Sequence, residues 1–246
     1  MMKTDPFANL AGLRPLALLA SGRTGADIER LVKEVRRMLR REGRAMAWND
    51  LEVALRQGHT LMSEELSWRA SVHEAGHALV YTLTGVAEVE TASVGQHGIG
   101  MVATVANGHL PETEAWLQVS IAAILAGRVA ERLVVGDVLA GAGGGPESDL
   151  ARATDMALAA ETRLGFSSHQ PLLYRSAATA SHELAIDSRL AERVNGRLVA
   201  AETMATELIE RHREVHMTIA KRLNAVGVLA GDELRALILD AVGPDR

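Results

Sequence analysis

The amino-acid sequence predicts a mainly α-helical protein that carries one small β-hairpin or sheet. Three observations support this prediction. Long segments rich in Ala and Leu contain few helix breakers, since the 246 residues include only 6 prolines. Apolar residues recur in these segments at helical spacing. β-Branched residues are concentrated at 86–94 and 99–105, on either side of the turn-prone Gly95-Gln96-His97-Gly98.

The amino-terminal residues, 1–57, are predicted to form a small helical segment. Thr24-Gly25-Ala26-Asp27 begins an amphipathic helix with one apolar stripe, and Gly43 ends it. Asn49 is followed three positions later by a glutamate, which is the pattern of an N-cap, and it predicts a short helix through Leu55. This segment is too small to bury much apolar surface by itself.

The remaining residues, 58–246, are predicted to form one larger domain. Its helices are expected to begin at capping residues or proline and to end near glycine. The predicted helices are Ser63–Leu83, Pro111–Val135, Glu147–Leu164, Leu190–Leu223 and Asp232–Val242.

The composition excludes several kinds of protein. A formal net charge of −5 argues against a surface that binds nucleic-acid phosphates. The basic stretch Lys33–Arg44 contains interleaved acidic residues at helical spacing, so we interpret it as a solvated helix face. Cysteine is absent, which excludes disulfides and thiolate metal sites. No run approaches the roughly 18 apolar residues that span a bilayer, and we expect the chain as given to be soluble.

The segment His73-Glu74-Ala75-Gly76-His77 has the pattern of a zinc-peptidase site. Each helical residue advances about 100°, so His73 and His77 lie about 40° apart, one turn along, and can bind one ion. Glu74 lies about 60° beyond His77, where it can hold a metal-bound water without being a ligand. We expect Glu74 to take the proton of this water as it attacks the peptide carbonyl, and to pass it to the leaving amine.

A zinc site of this kind requires a third protein ligand, and spacing does not identify it. Asp149 follows the glycine-rich loop at 140–145 and lies at a predicted helix start, where a loop can bring it to the site. An acidic residue in a first helical turn is also favoured by the helix dipole alone. Asp155, Asp137 and Glu131 remain candidates on the same basis.

Gly76 and a second pair of histidines also need an interpretation. Gly76 lies inside the predicted zinc helix, which predicts a close approach by another element. His212 and His216 are also four residues apart, but Glu214 is not adjacent to the first histidine. We therefore interpret this second pair as part of a charged helix face rather than as a second metal site.

Several segments, spread over nearly the whole chain, resemble segments of the FtsH-type ATP-dependent zinc proteases. HEAGHALV is similar to the zinc helix of that family, and LAGRVAERLVVG to its GGRAAEELVFG segment. Two amino-terminal segments resemble helices of its AAA lid, and GFSS resembles its GMS turn. The segments that carry the resemblance are Thr24–Val35, Asn49–Leu55, His73–Val80, Leu125–Gly136, Ser148–Ala157 and Gly165–Ser168.

The resemblance implies a zinc metalloendopeptidase domain at 58–246, preceded by a partial AAA lid at 1–57. It implies one zinc per chain with His73, His77 and Asp149 as ligands, and Glu74 as the catalytic base. It also implies a homo-hexameric ring that cleaves unfolded proteins or peptides. The second strand of the hairpin would be an edge that receives substrate by β-addition.

Members of this family carry membrane-spanning helices and a nucleotide-binding core before the lid, and this sequence contains neither. We expect the chain to be the proteolytic part of a longer protease, anchored in the inner membrane with this part on the cytoplasmic side. ATP would then bind only to that longer parent; a stand-alone peptidase is the other possibility. Ser148 and Arg132 replace the usual Asn and Glu of the family. These departures motivate an alternative function, a catalytically silent ring-assembly domain.

Overall fold

The computed structural model describes residues 16–17, 19–20, 23–57, 63–96 and 99–243. Helices dominate this part of the chain, and three strands form one antiparallel sheet, as the sequence predicts. The helices are α1 Gly25–Glu42, α2 Trp48–Gln57, α3 Glu64–Thr84, α4 Glu114–Val134, α5 Asp149–Thr162, α6 Ala177–Ile186, α7 Ser188–Arg211, α8 Arg213–Val226 and α9 Gly231–Val242. The strands are β1 Ala87–Gln96, β2 Ile99–Ala106 and β3 Val228–Ala230.

Several helix ends lie where the local sequence places them. Thr24 caps α1 in a capping box with Asp27, and Gly43 ends this helix in the left-handed conformation at φ 72°. The Ser63 side chain accepts a hydrogen bond from the Leu66 N–H and caps α3. Short-range capping chemistry therefore sets the length of the helix that carries the HEAGH segment.

Two predicted helix starts are wrong. Asn49 lies inside α2, which begins at Trp48, and the first turn is closed by the Asp50 carboxylate, which accepts from the Ala47 N–H at 2.8 Å. Pro111 lies three residues before α4. The cap of α4 is Thr113, whose hydroxyl oxygen accepts a hydrogen bond from a backbone N–H one turn later.

The carboxyl-terminal part differs most from the prediction. The helical pattern predicted over about Leu190–Leu223 is confirmed, but it is divided into two helices, α7 and α8, which meet at His212. Neither α6 nor β3 was predicted. The three residues of β3 are too few to show a period, and they become a strand because they pair with β1.

The sheet has the order β2-β1-β3, so β2 is an edge strand. β1 pairs with β2 as the hairpin prediction requires, with irregularities in register after Val89 and after Ser93. The predicted turn over Gly95–Gly98 falls partly outside the described residues, which omit 97–98. The free edge of β2 matters below, because it lies beside the candidate site.

Two separate apolar clusters form the core. The larger cluster surrounds α3 and α4, and the smaller one lies between α1 and α2 and includes Leu39 and Leu51. The smaller cluster also packs against Val228 of β3, so it is in contact with the part of the chain predicted as 58–246. The boundary itself falls beside residues 58–62, outside the described part, so the domain division stays a prediction.

Candidate active site

Helix α3 carries the HEAGH segment through the centre of the larger core. A side chain at Gly76 would place its Cβ 2.6 Å from the Ala126 carbonyl oxygen and 2.7 Å from the Ala130 Cβ, both on α4. Helix α4 therefore approaches α3 to backbone contact, which confirms the expectation drawn from Gly76. This close packing holds α3, and with it His73 and His77, in a fixed position relative to α4.

Three donor atoms converge at one point beside α3. The Nε2 atoms of His73 and His77 are 3.0 Å apart, and each lies 3.1 Å from Oδ2 of Asp149 at the start of α5. Within the part of the chain that the structure describes, this is the one group of three or more His, Cys, Asp or Glu side chains close enough to hold a metal ion. The structure thus brings together the three residues expected as ligands.

The Nδ1 atoms of both imidazole rings form hydrogen bonds with α4, which leaves the Nε2 atoms facing Asp149. Nδ1 of His73 lies 2.6 Å from Oε1 of Glu131, and Nδ1 of His77 lies 2.9 Å from the carbonyl oxygen of Ala123. Both partners are acceptors, so both Nδ1 atoms carry the proton and donate it. With a metal ion bound, two Nε2 lone pairs and the Asp149 carboxylate would face that ion, whereas without one a proton on Nε2 of His73 can take its place and donate to Asp149. Two imidazoles and one carboxylate are a donor set that fits zinc.

Gly127 on α4 keeps the space beside these nitrogens open. A Cβ at this position would overlap Nε2 of both His73 and His77. Any larger residue would push the two rings out of their present orientation. A glycine in the middle of a helix costs about 1 kcal/mol relative to alanine, and here the close approach of the two rings accounts for it.

The charges of the cluster favour a bound cation. Burial lowers the pKa of His73, but hydrogen bonds to Asp149 and Glu131 outweigh burial and raise this pKa to about 10. Burial raises the pKa of Asp149, but hydrogen bonds from His73 and His77 hold it well below its usual range. Burial raises the pKa of Glu74, and the charges of His77 and His73 offset only part of this rise.

Glu131 was one of the alternative third ligands, and the structure gives it a different position. Its side chain is buried, with Oε1 at Nδ1 of His73 and Oε2 accepting from the Leu139 N–H at 2.8 Å. It therefore lies on the far side of the imidazole from the three converging donors. A carboxylate that holds the second nitrogen of a metal-binding histidine fixes the orientation of the ring.

The other two alternatives lie away from the donor cluster. Asp137 is exposed and pairs with Arg69, which lowers the pKa of this aspartate. Asp155 is exposed on α5. Neither carboxylate belongs to the group that includes Asp149.

Glu74 faces a pocket between α3, the start of α5 and the edge strand β2. It is 5 % exposed, and a Cβ at Gly100 would lie 2.6 Å from its Cγ. The strand can therefore pass beside this carboxylate because Gly100 has no side chain. The pocket has a volume of about 250 Å³, and its lining includes His73, Glu74, His77, Tyr81, Gly100, Thr104, Asp149 and Arg152.

Sequence reasoning did not identify two residues of this pocket. Tyr81 lies one helical turn after His77 on the same face of α3, with the two ring centroids 6.4 Å apart. Arg152 lies one turn after Asp149 on α5. Burial raises the pKa of Tyr81, and the nearby charge of Arg152 offsets part of this rise. The i, i+4 spacing from His77 was a signal for Tyr81, whereas the position of Arg152 depends on the packing of α5.

The second histidine pair was interpreted as part of a charged helix face, and this interpretation is wrong for His216. His216 is buried in α8, and its Nε2–H donates to the carbonyl oxygen of Val72 at 2.9 Å. His212 lies at the junction of α7 and α8. Among the described residues, neither histidine belongs to a group of side chains that could hold a metal ion.

Comparison with protein families gives a match to peptidase family M41 over residues 60–237. The matched range contains all three converging donors and Glu74. Of the helices in the described part of the chain, none combines the length and the apolar character that crossing a membrane requires.

Three curated relatives have the same kind of name. The ATP-dependent zinc metalloprotease FtsH of Hahella chejuensis is 30% identical over 236 residues, which cover 85% of this chain and 37% of that protein. FtsH of Thermotoga maritima is 28% identical, with 96% and 42% covered. FtsH 1 of Symbiobacterium thermophilum is 31% identical, with 94% and 40% covered. The chain therefore spans well under half the length of these relatives.

Proposed function

The chain belongs to peptidase family M41, and on that premise we propose that it is a zinc metalloendopeptidase that hydrolyses peptide bonds of protein substrates. The observation that carries the proposal is the convergence of His73 Nε2, His77 Nε2 and Asp149 Oδ2 beside Glu74. These three residues would hold one zinc ion per chain. When bound, zinc supplies a Lewis acid that acidifies water and polarises a carbonyl group.

The proton transfers fall to Glu74. Its carboxylate accepts one proton from the attacking water while the water oxygen bonds to the peptide carbonyl carbon. It then donates this proton to the amine nitrogen as the carbon–nitrogen bond breaks. Burial raises the pKa of Glu74, which makes its carboxylate a stronger base than a solvated one. Glu131 and the Ala123 carbonyl hold the two imidazoles through Nδ1 during this cycle.

The substrate is proposed to bind as an added strand along β2. Among the strands of the described residues, β2 pairs with β1 alone, and Gly100, Val102 and Thr104 line the pocket. Backbone hydrogen bonds along a sheet edge do not depend on the side chains of the substrate. We therefore expect broad specificity towards unfolded chains and peptides.

We further propose that the chain acts as the proteolytic part of a longer ATP-dependent protease that assembles as a homo-hexamer. The names of the relatives from Hahella chejuensis and Thermotoga maritima support ATP dependence of those proteins. The alternative, a silent ring-assembly domain, rested on Ser148 and Arg132. Ser148 caps α5 through its hydroxyl group, and Arg132 pairs with Glu202 at 2.6 Å. Both residues thus have ordinary structural roles that are compatible with an active site.

The proposed function is tested by zinc content and peptidase activity of the same preparation. The zinc-loaded chain is expected to contain about one zinc and to cleave fluorescently labelled casein, and a chelator should abolish the cleavage. Glu74→Gln should keep the zinc and lose roughly 10²- to 10⁴-fold in activity. Glu64→Gln, an exposed residue on the same helix, is the matched control. A Glu74→Gln variant with zinc and full activity would contradict the assigned mechanism.

A further inference from the structure

Tyr81 lines the pocket beside the converging donors, although no step of the proposed mechanism uses it. It lies seven residues after Glu74, so the two side chains project from nearly the same side of α3, about 10 Å apart along the helix axis. Its ring is 9 % exposed and tilted by 32° relative to His77. Along the helix, His77 therefore lies between Glu74 and Tyr81, and all three residues line the same pocket.

The guanidinium group of Arg152, which lines the same pocket as Tyr81, favours one orientation of the Tyr81 hydroxyl group. A guanidinium group carries a positive charge and has donors only, so it attracts the phenolic oxygen and not the phenolic proton. The O–H proton of Tyr81 is then available to another acceptor. Arg152 also lies 3.9 Å from Oδ1 of Asp149, which holds it beside the donor cluster. Among the described residues that line the pocket, it is the one arginine or lysine.

The charges of Glu74 and Arg152 orient a peptide carbonyl in the pocket. Its oxygen becomes negatively charged as water attacks the carbon, and the Glu74 carboxylate repels this charge. The oxygen therefore turns away from Glu74 and towards Tyr81 and Arg152. Ser148 cannot supply the donor, because its hydroxyl group already donates to the Gly145 carbonyl at 2.7 Å. Side chains of a helix lean towards its amino-terminal end, which brings the Tyr81 hydroxyl back towards His77.

We propose that the Tyr81 hydroxyl donates a hydrogen bond to the carbonyl oxygen of the peptide bond that is cleaved, and that Arg152 is the positioning residue that holds Tyr81. This inference rests on the proposed peptidase function. It assigns the stabilisation of the developing oxyanion to a residue of the chain itself, in addition to the metal. Such donors act mainly in the transition state, because the charge on the oxygen forms there.

The first test compares Tyr81→Phe with Tyr174→Phe in the zinc-loaded chain. These are the two tyrosines of the sequence, and Tyr174 is 75% exposed outside the pocket. With a quenched peptide as substrate, Tyr81→Phe is expected to lower kcat on the order of 10²-fold, with KM and zinc content unchanged. Tyr174→Phe should match the parent chain. An unchanged kcat, or a change confined to KM, overturns the assignment.

A second test measures binding without turnover. In the Glu74→Gln background, a labelled peptide should bind equally well with Tyr81 or with Tyr81→Phe, measured by fluorescence anisotropy. Weaker binding of the Tyr81→Phe form would show that the hydrogen bond already forms in the ground state, and would overturn the transition-state assignment.

A double-mutant cycle tests the role of Arg152. Arg152→Gln should lower kcat by less than Tyr81→Phe does, and the double variant should be no slower than Tyr81→Phe alone. Effects that multiply would show that Arg152 acts independently, which overturns its role as a positioning residue. A parent chain that binds zinc and cleaves nothing overturns the proposed function together with this inference. An active parent with a silent Tyr81→Phe overturns the inference alone.

Discussion

The chain contains two histidine pairs with the same spacing, and only one of them forms a donor site. His73 and His77 both point Nε2 at Asp149, and both Nδ1 atoms are held by acceptors on α4. In the other pair, His212 lies at a helix junction, and His216 directs Nε2 at the Val72 carbonyl. Spacing on one helix therefore brings two imidazoles together only when a neighbouring helix orients both rings.

The difference lies in the elements that surround each pair. Helix α4 offers the first pair a carboxylate and a carbonyl for Nδ1, and its Gly127 leaves room for both Nε2 atoms. The second pair is divided because α7 ends at Arg211, so its two histidines do not lie on one continuous helix. His216 instead donates to the carbonyl oxygen of Val72, the residue before His73.

The largest effect is expected when one donor of the first pair is removed. His77→Ala leaves one imidazole and one carboxylate, so we expect zinc to be lost from the purified chain and peptidase activity with it. The measurement is zinc per chain after dialysis, together with casein cleavage. His212→Ala is the matched variant from the second pair and should retain about one zinc. Equal loss in both variants would break the distinction between the pairs.

A smaller effect on zinc binding is expected when Glu131, the residue that orients His73, is replaced. Glu131→Gln weakens the hold on Nδ1 without removing a donor, so zinc affinity should fall by about 10- to 100-fold. Competition with a chromophoric chelator measures this change. Asp137→Asn is the control, because this exposed carboxylate pairs with Arg69 and does not reach the cluster. A larger loss in Asp137→Asn than in Glu131→Gln would restore Asp137 as a candidate ligand.

The same comparison shows what the sequence could predict. The HEAGH spacing and the Ser63 cap act within one helix, so the sequence was sufficient to locate α3 and to align His73 with His77. Asp149 is 72 residues from His77, and spacing left it beside three other acidic residues. Only the family resemblance singled it out, because packing of α5 against α4 brings it to the site.

Other features depend on packing in the same way. β3 is a strand only because β1 pairs with it, and the break at His212 was not visible in a continuous helical pattern. The burial of His216 had no local signal either, because α3 covers it. Local rules thus predicted the helix class and the metal pair, whereas the residues that orient the pair came from tertiary contacts.

The smallest effect concerns the stability that His216 contributes. Burial lowers the pKa of His216 below the ordinary 6.5, and the bond to Val72 offsets only part of this shift. The folded chain therefore keeps His216 neutral at a pH where the unfolded chain protonates it. The unfolded state gains the proton, so this stability is fully present above pH 6.5 and is lost as the pH falls towards the lowered folded pKa.

His216→Phe should remove this dependence and keep the buried volume nearly constant. Between pH 7.5 and 5.5, we expect the unfolding free energy of the parent to fall about 1 kcal/mol more than that of His216→Phe, both chains being zinc-loaded. Urea unfolding at the two pH values measures the difference. His182→Phe, an exposed histidine on α6, should keep the parent's dependence. If His216→Phe and the parent lost stability equally on acidification, the second pair would contribute nothing to the pH response, and the neutral state assigned to His216 would be wrong.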